Sequence, residues 1–342
     1  MSVLQLMGAA GDGGAETYFV DLVSALARAG VNQACALRPH AARQAAMDAA
    51  GVPVTLAPFG GPLDLVTGPR LAALARRMQP KVIVQWMNRA GRFAPKGPWA
   101  RIGRLGGYYD LKYYRGCDLL VGNTQDIVDW LVAQGWPSEK TAYIPNFATE
   151  GDAPPLDRAS LDTPADAPVI LSMGRLHEAK AHDVTLQALT RLPDAVLWLA
   201  GTGPLEAELK ARAAALDVAE RVRFLGWRTD AAALYHAADV CAFPSRYEPL
   251  GNVVIQAWAH GLPVAAAASR GPAALIRPGE DGLLSPVDDA DALAADLAAL
   301  LADKALRARL AAAGRARVAA DFSEAAVAAQ WRALFARFGE TA

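Results

Sequence analysis

The stretch Phe243-Pro244-Ser245-Arg246-Tyr247-Glu248-Pro249-Leu250-Gly251-Asn252-Val253-Val254-Ile255-Gln256-Ala257-Trp258-Ala259-His260-Gly261-Leu262-Pro263-Val264 decides the fold. An apolar run, Val240–Pro244, leads to Glu248, and Pro249-Leu250-Gly251-Asn252 has the composition of a turn. A helix-like stretch follows, and Gly261-Leu262-Pro263 ends it before the next apolar run, Val264–Ala267. Strand, shaped loop, helix and strand make one crossover unit of a parallel sheet. The first amides of that helix face the same cleft as Glu248, an arrangement suited to a ligand carrying an anion and hydroxyls. The plainer alternative is that Glu248 only complements the helix dipole.

The same rhythm extends in both directions. Val3–Met7, Ala34–Arg38, Val54–Pro58, Val82–Met87, Leu119–Asn123 and Ala142–Pro145 read as strands in the first half, and Val169–Met173, Ala195–Ala200, Val222–Leu225, Val240–Pro244 and Val264–Ala267 in the second. Between the first two, Ala15 to Ala29 sets Phe19, Leu22, Val23 and Leu26 at helical spacing. Nearly continuous apolar strands alternating with helices predict an α/β protein with doubly wound parallel sheets covered on both faces. The stretch 148–167 is rich in Pro and Asp without apolar periodicity, and is the expected linker between domains 1–150 and 165–322. A last amphipathic helix in 323–342, through Ala326, Trp331, Leu334 and Phe335, is expected to pack across the joint.

Two domains suit the length of 342 residues. The 53% hydrophobic content reflects 75 alanines rather than membrane spans: the uncharged window Asn252 to Ser269 is broken by Gln256, His260 and a Gly-Leu-Pro turn. The N-terminus has no basic lead and no apolar stretch of signal-peptide length, so a cytoplasmic location is expected. Cys35, Cys117 and Cys241 lack metal or disulfide spacing and read as core residues. The net charge of −1 conceals an asymmetry, because eleven Lys/Arg between Arg70 and Arg115 face a single acid, Asp110.

Ligands of doubly wound sheets bind where strand C-termini meet helix N-termini. After the first strand, Gly11-Asp12-Gly13-Gly14 precedes a helix, a setting suited to phosphate. After the first strand of the second half, Gly174-Arg175-Leu176-His177-Glu178-Ala179-Lys180 offers a fork and a point charge for a diphosphate. Gly201-Thr202-Gly203-Pro204 ends another strand with small residues that leave room for a ligand. Gly226-Trp227-Arg228 ends the next, with backbone for a base edge and Arg228 to stack or pair nearby. The five histidines show no metal-ligand spacing, and His236 and His260 read as ordinary helix residues.

Taken in order, Gly13-Gly14-Ala15-Glu16, Asn123-Thr124, Ile144-Pro145-Asn146, Gly174-Arg175 with Lys180, Gly201-Thr202-Gly203-Pro204, Phe224-Leu225-Gly226 and Ser245-Arg246-Tyr247-Glu248 with Gly261-Leu262-Pro263-Val264 cover nearly the whole chain. The sequence thereby resembles the retaining glycosyltransferases of family 4, which have the GT-B fold of two facing Rossmann-like domains with a cleft between them. The resemblance implies that Arg175 and Lys180 bind the diphosphate of a UDP- or GDP-linked sugar, helped by Gly13 and Gly14, while Glu248 contacts hydroxyls of the donor sugar. Gly174, Gly203, Trp227, Arg228, Pro249, Leu250, Gly251 and Asn252 are expected to line the same donor site. The second acid of the family's E-x7-E motif, which holds the ribose, is Gln256 here, an amide without the charge assistance of a carboxylate. A histidine that family members carry near the reacting sugar is replaced at about Trp86, with Asn88 or Arg89 to supply the polar contact.

No second acid accompanies Glu248 for a double displacement, and the resemblance implies front-face attack assisted by the departing phosphate. Neither metal nor cofactor is expected. The basic segment also holds Trp86, Phe93, Trp99, Tyr108, Tyr109, Tyr113 and Tyr114. It is expected to receive an anionic glycolipid or glycan acceptor, such as a lipopolysaccharide core, at an anionic inner membrane surface rather than nucleic acid. Trp86, Asn88, Arg89, Lys112 and Asn123 are the candidate acceptor contacts. The competing readings are a nucleotide-sugar epimerase of the same fold and a nucleotide-sugar-binding protein weakened by Gln256.

Overall fold

The computed structural model describes residues 2–11 and 13–339, which divide into two compact units. One runs to Asn146 and takes up the chain again at Glu324; the other is Phe147–Ser323.

The first unit contains strands β1 (Ser2–Met7), β2 (Asn32–Leu37), β3 (Val54–Leu56), β4 (Val82–Trp86), β5 (Ala100–Leu105), β6 (Leu119–Gly122) and β7 (Thr141–Tyr143). They form one sheet of order β3-β2-β1-β4-β5-β6-β7, parallel at every pairing. Its helices are α1 (Gly14–Arg28), α2 (Ala41–Ala49), α3 (Thr67–Met78), α4 (Met87–Phe93) and α5 (Gln125–Ala133). Val3, Leu4, Leu6, Met7, Ile83 and Ile102 lose essentially all contact with water, as the uninterrupted apolar strands require.

The second unit carries β8 (Val169–Met173), β9 (Val196–Ala200), β10 (Val222–Gly226), β11 (Val240–Phe243), β12 (Val264–Ala267) and β13 (Leu283–Ser285), in the order β10-β9-β8-β11-β12-β13, again all parallel. Helices α6 (His182–Leu189), α7 (Glu206–Ala215), α8 (Ala231–Ala237), α9 (Asn252–Ala259), α10 (Arg270–Leu275), α11 (Ala290–Ala302) and α12 (Lys304–Arg317) cover it. One apolar cluster packs Trp198, Phe243, Val254 and Trp258 on one face, and another packs Leu197, Leu199, Leu293 and Leu297 on the other.

The eleven expected strands are present within two residues of their expected bounds. Two strands escaped the sequence reading. β5 is Ala-Arg-Ile-Gly-Arg-Leu, whose two arginines and glycine break the apolar run although it lies in the middle of its sheet. Gly103 is required there, because a Cβ would sit 2.5 Å from the Tyr114 ring. β13 is only three residues long.

The expected linker is a correction. Residues 148–167 belong to the second unit, where Leu156, Leu161 and Ala167 pack against its core. Arg158 donates to Ala237 O and to Asp239, each at 3.0 Å, and Trp198 Nε1 donates to Thr163 Oγ1 at 2.9 Å. Proline there reflects extended chain clamped onto a sheet, not a free joint. The terminal helix is α13 (Glu324–Ala336), which belongs to the first unit: Arg28 of α1 grips Glu324 with two hydrogen bonds, and Trp331 and Phe335 are buried.

Candidate active site

In the second unit the predicted donor residues converge on the C-terminal edge of the sheet. Lys180 ends a 3-10 turn after β8, and Glu248 lies in the loop between β11 and α9; they form an ion pair. The Glu248 side chain is 12% exposed and that of Lys180 27%, so the pair is shielded yet reachable. The Glu248 carboxylate also accepts from the Gly251 amide at 3.3 Å, and its backbone carbonyl accepts from Gly271 N at 2.8 Å. Gly251 caps α9 at φ 94°, a left-handed conformation that favours glycine. Helix dipole complementation and a working ion pair therefore coexist at Glu248.

The loops after β8, β9 and β10 are tied through their backbones. Gly174 N donates to Ala200 O at 3.0 Å, Leu176 N to Thr202 O at 3.0 Å and Gly201 N to Gly226 O at 2.8 Å. A Cβ on Gly201 would stand 1.9 Å from Gly174 O, and one on Gly203 2.3 Å from Leu176 O. The small residues expected to leave room for a ligand are thus consumed by loop-to-loop packing, which fixes the backbone around Gly174 and Arg175. Arg175 itself is exposed and has no side-chain partner among the described residues.

Two predicted donor residues are placed differently from expectation. Arg228 is held by a bidentate pair with Asp230 at 2.7 and 2.5 Å, while its neighbour Trp227 is 74% exposed, so the indole rather than the guanidinium is free to stack. Leu250 is 5% exposed and part of the core, which leaves only its backbone for a ligand. Pro249 and Gln256 are half-buried and Asn252 is exposed at the start of α9. The sequence reading missed Arg246. It forks onto Asp183 at 2.9 and 2.7 Å and also pairs with Asp288, and Tyr247 N donates to Ala179 O, so the Glu248 loop is strapped to the Lys180 turn. Burial alone would raise the Asp183 pKa, but the Arg246 hydrogen bonds and charge outweigh it and hold the carboxyl below its ordinary value. Nearby, His182 is 2% exposed, and burial holds its imidazole neutral with a pKa of about 4.

In the first unit, Gly13 and Gly14 are exposed at the start of α1, with no side-chain cap. The basic, aromatic segment differs from its expected character. Trp86, Trp99 and Tyr114 are buried and Phe93, Tyr108, Tyr109 and Tyr113 half-buried, so no ring is displayed as an interfacial belt requires. Trp86, expected at the acceptor, is fully buried with Nε1 donating to Gln5 at 3.0 Å. Asn123 is 3% exposed at the end of β6, and Asn88 keeps a sealed, unpartnered Oδ1. Arg89 is exposed and donates to Phe59 O at 3.0 Å; Lys112 is exposed and paired with Asp110. All three cysteines are buried, and burial pushes the thiols of Cys117 and Cys241 up to about 12. No cluster of three or more His, Cys, Asp or Glu suited to a metal occurs among the described residues.

The family profile described as Glycosyl transferases group 1 matches residues 155–317. The chain is 39% identical over 330 residues to the lipopolysaccharide core biosynthesis glycosyltransferase LpsE of Rhizobium meliloti, covering 95% of this chain and 96% of that protein. It is 35% identical over 335 residues to LpsD of the same organism, with the same two coverages. Among solved structures, Anabaena Alr3699/HepE in complex with UDP superposes with a TM-score of 0.85 at 21% identity, over 98% of this chain and 100% of that one, and a complex with UDP-glucose gives 0.84. At that identity the superposition speaks for the GT-B fold alone. Near-full-length identity to LpsE and LpsD, together with the profile match over the second unit, shows that this chain belongs to the group 1 glycosyltransferases of family 4.

Proposed function

We propose that this glycosyltransferase moves a sugar from a nucleotide-diphosphate sugar to an anionic glycolipid or glycan, with retention of anomeric configuration and without a metal. The observation that carries the reading is the Lys180–Glu248 pair at the sheet edge, with Gly251 and the first amides of α9 beside it and exposed Arg175 on the same loop as Lys180. In this reading Arg175, Lys180 and the helix amides meet the charge that grows on the departing diphosphate, the task a metal performs elsewhere. Glu248 holds donor-sugar hydroxyls, and the strapped loops orient the donor for front-face attack. Exposed Trp227 offers a face for the base. The UDP and UDP-glucose complexes of the Anabaena neighbour are in keeping with a nucleotide-sugar donor, UDP- or GDP-linked, and LpsE and LpsD support a lipopolysaccharide core acceptor.

Contact with an anionic membrane belongs to the same proposal, with its apolar part moved. Leu63 and Leu65, 92% and 83% exposed, stand on the loop before α3, and Arg70, Arg76 and Arg77 are exposed on that helix. No helix among the described residues is long and apolar enough to cross a membrane.

Glu248→Gln keeps the shape of the side chain and removes its charge. Turnover of nucleotide-sugar should fall by a factor on the order of 10²–10³, with near-UV circular dichroism unchanged. Wild-type turnover in this variant would sink the assignment. Retention is read from the anomeric configuration of the product by NMR, and metal independence from persistence of transfer in excess chelator.

A further inference from the structure

The outer edge of the first unit's sheet opens onto a cleft. β3 is the terminal strand of that sheet and is three residues long. Between it and α3 lies an open space of about 400 Å³. Much of its wall is apolar, with Val54 and Leu56 of the strand on one side and Ala73 and Leu74 of the helix on the other; Arg70 and Arg77 line it too. Positions 70, 73, 74 and 77 follow the i, i+3, i+4, i+7 pattern and share one face of α3. The two arginines therefore bracket the apolar pair, about two turns or ~10 Å apart along the helix axis.

No acid lines the cleft, and both guanidinium groups are exposed with no hydrogen-bond or ion-pair partner among the described residues. Arg28, Arg158, Arg246 and Arg317, by contrast, each grip a carboxylate. Cations at both ends of an apolar trough match an amphiphile with an anionic head, whereas inorganic phosphate would leave the apolar walls uncovered. The braced loop before α3 supports that match, since Leu63, Leu65 and Val66 stand exposed at the start of the helix that carries the arginines. Apolar side chains at one end of a helix and guanidinium groups along it are the two halves of an interfacial contact. An acidic peptide adding a strand to β3 would meet the same charges but find little to pair with. Cys35 N donates to Pro53 O and Ala57 N to Leu37 O, so in this register only Val54 and Leu56 turn backbone groups outward.

We propose that this cleft binds one anionic lipid, whose phosphate is taken by Arg70 and Arg77 and whose first methylenes lie along Val54, Leu56 and Leu74. The arginine side chains are long enough to close on one phosphate from the two ends, and Ala73 keeps the trough open between them. The site replaces diffuse attraction to an anionic surface with a discrete, saturable place for a single lipid. It lies wholly within the first unit and uses none of the donor residues. Its place at a membrane rests on the contact proposed above, whereas binding of a single lipid is measured without a membrane, donor or turnover.

The test is titration of the full chain with dihexanoyl phosphatidylglycerol below its micelle concentration, followed by NMR chemical shifts, beside dihexanoyl phosphatidylcholine and inorganic phosphate. Wild type should bind phosphatidylglycerol saturably, about tenfold more tightly than either comparison. Arg70→Met and Arg77→Met should each weaken binding by about fivefold, the worth of one basic residue near an anionic lipid. Ala73→Phe fills the trough without changing charge and should abolish binding. Arg76→Met removes the same charge from an exposed position on α3 that does not line the cleft, and should bind as wild type does. All four positions are exposed, so the variants leave the core intact. Equal losses in Arg76→Met and Arg70→Met, unaltered binding in Ala73→Phe, or no saturable binding by wild type would each overturn the proposal. So would inorganic phosphate or a hexaglutamate peptide binding as tightly as the lipid. If the titration fails while anionic vesicles still pellet the protein, the lipid site falls alone; if it succeeds while vesicles do not, the membrane contact falls alone.

Discussion

At the scale of single residues, Gln256 is where this chain departs from its family's motif and where chemistry is most exposed to test. It lies half-buried in α9, its backbone oxygen accepting from His260 N at 3.2 Å, while its side-chain amide has no partner among the described residues. That amide is free to bond a ribose hydroxyl, but without the charge that roughly doubles such a bond. Gln256→Glu should therefore lower the donor KM by about fivefold, the equivalent of roughly 1 kcal/mol, and leave kcat nearly unchanged in initial-rate measurements. A rise in kcat of two orders of magnitude would instead mean that the natural site is crippled, and would favour the binding-protein reading. The placement of Glu248, Lys180 and Arg175 on loops at strand ends was legible in the sequence, because charge and glycine beside a strand end are local signals. Arg246 was not, since its value lies in Asp183, 63 residues away in the chain.

At the scale of elements, regular spacing made the strands and most helices readable, and irregular composition hid the rest. β5 carries Arg101 and Arg104, and a strand with two guanidinium groups reads as surface until Trp86, Tyr18 and Asn146 are brought around one of them. The loop ahead of α3 shows the reverse case. Asp64 accepts from Gly60 N, Val66 N and both donors of Thr67, and the Thr67 hydroxyl bond does most to hold its carboxyl below the usual range. A loop so braced presents Leu63 and Leu65 to solvent without collapsing over them. Replacing both by Asn should reduce partition onto vesicles containing anionic lipid on the order of tenfold, read by sedimentation, with thermal stability preserved. Equal pelleting of variant and wild type would remove the loop from membrane contact.

At the scale of the molecule, folding stability should depend on pH through His182. Its pKa is about 4 in the folded protein against an ordinary 6.5, so the unfolded chain binds the extra proton between those values. The stability tied to the neutral imidazole is complete above about pH 6.5 and is lost as the pH falls toward about 4. Between pH 7 and pH 5 that linkage amounts to about 2 kcal/mol, measurable as a lower urea midpoint, and a His182→Gln variant should show a flatter profile. An equal slope in the variant would show that other groups set the acid limit.

The sequence by itself determined the alternating architecture, the order of the loops and the identity of the charged residues on them, since each rests on signals spanning a few neighbouring residues. Near-continuous apolar strands have no solution other than burial on both faces, and glycine with charge at a strand end marks a loop that meets a ligand. Tertiary structure decided the rest, because burial and partnership are properties of residues distant in the chain. It folded a proline-rich stretch onto the second unit through Arg158 and Thr163, and returned the last helix to the first unit through Arg28 and Glu324. It also turned Trp86, Trp99 and Tyr114 of the basic aromatic segment inward, Trp86 against the buried guanidinium of Arg104, while Arg70, Arg76 and Arg77 stay exposed, since the rings lose more by facing water than by packing.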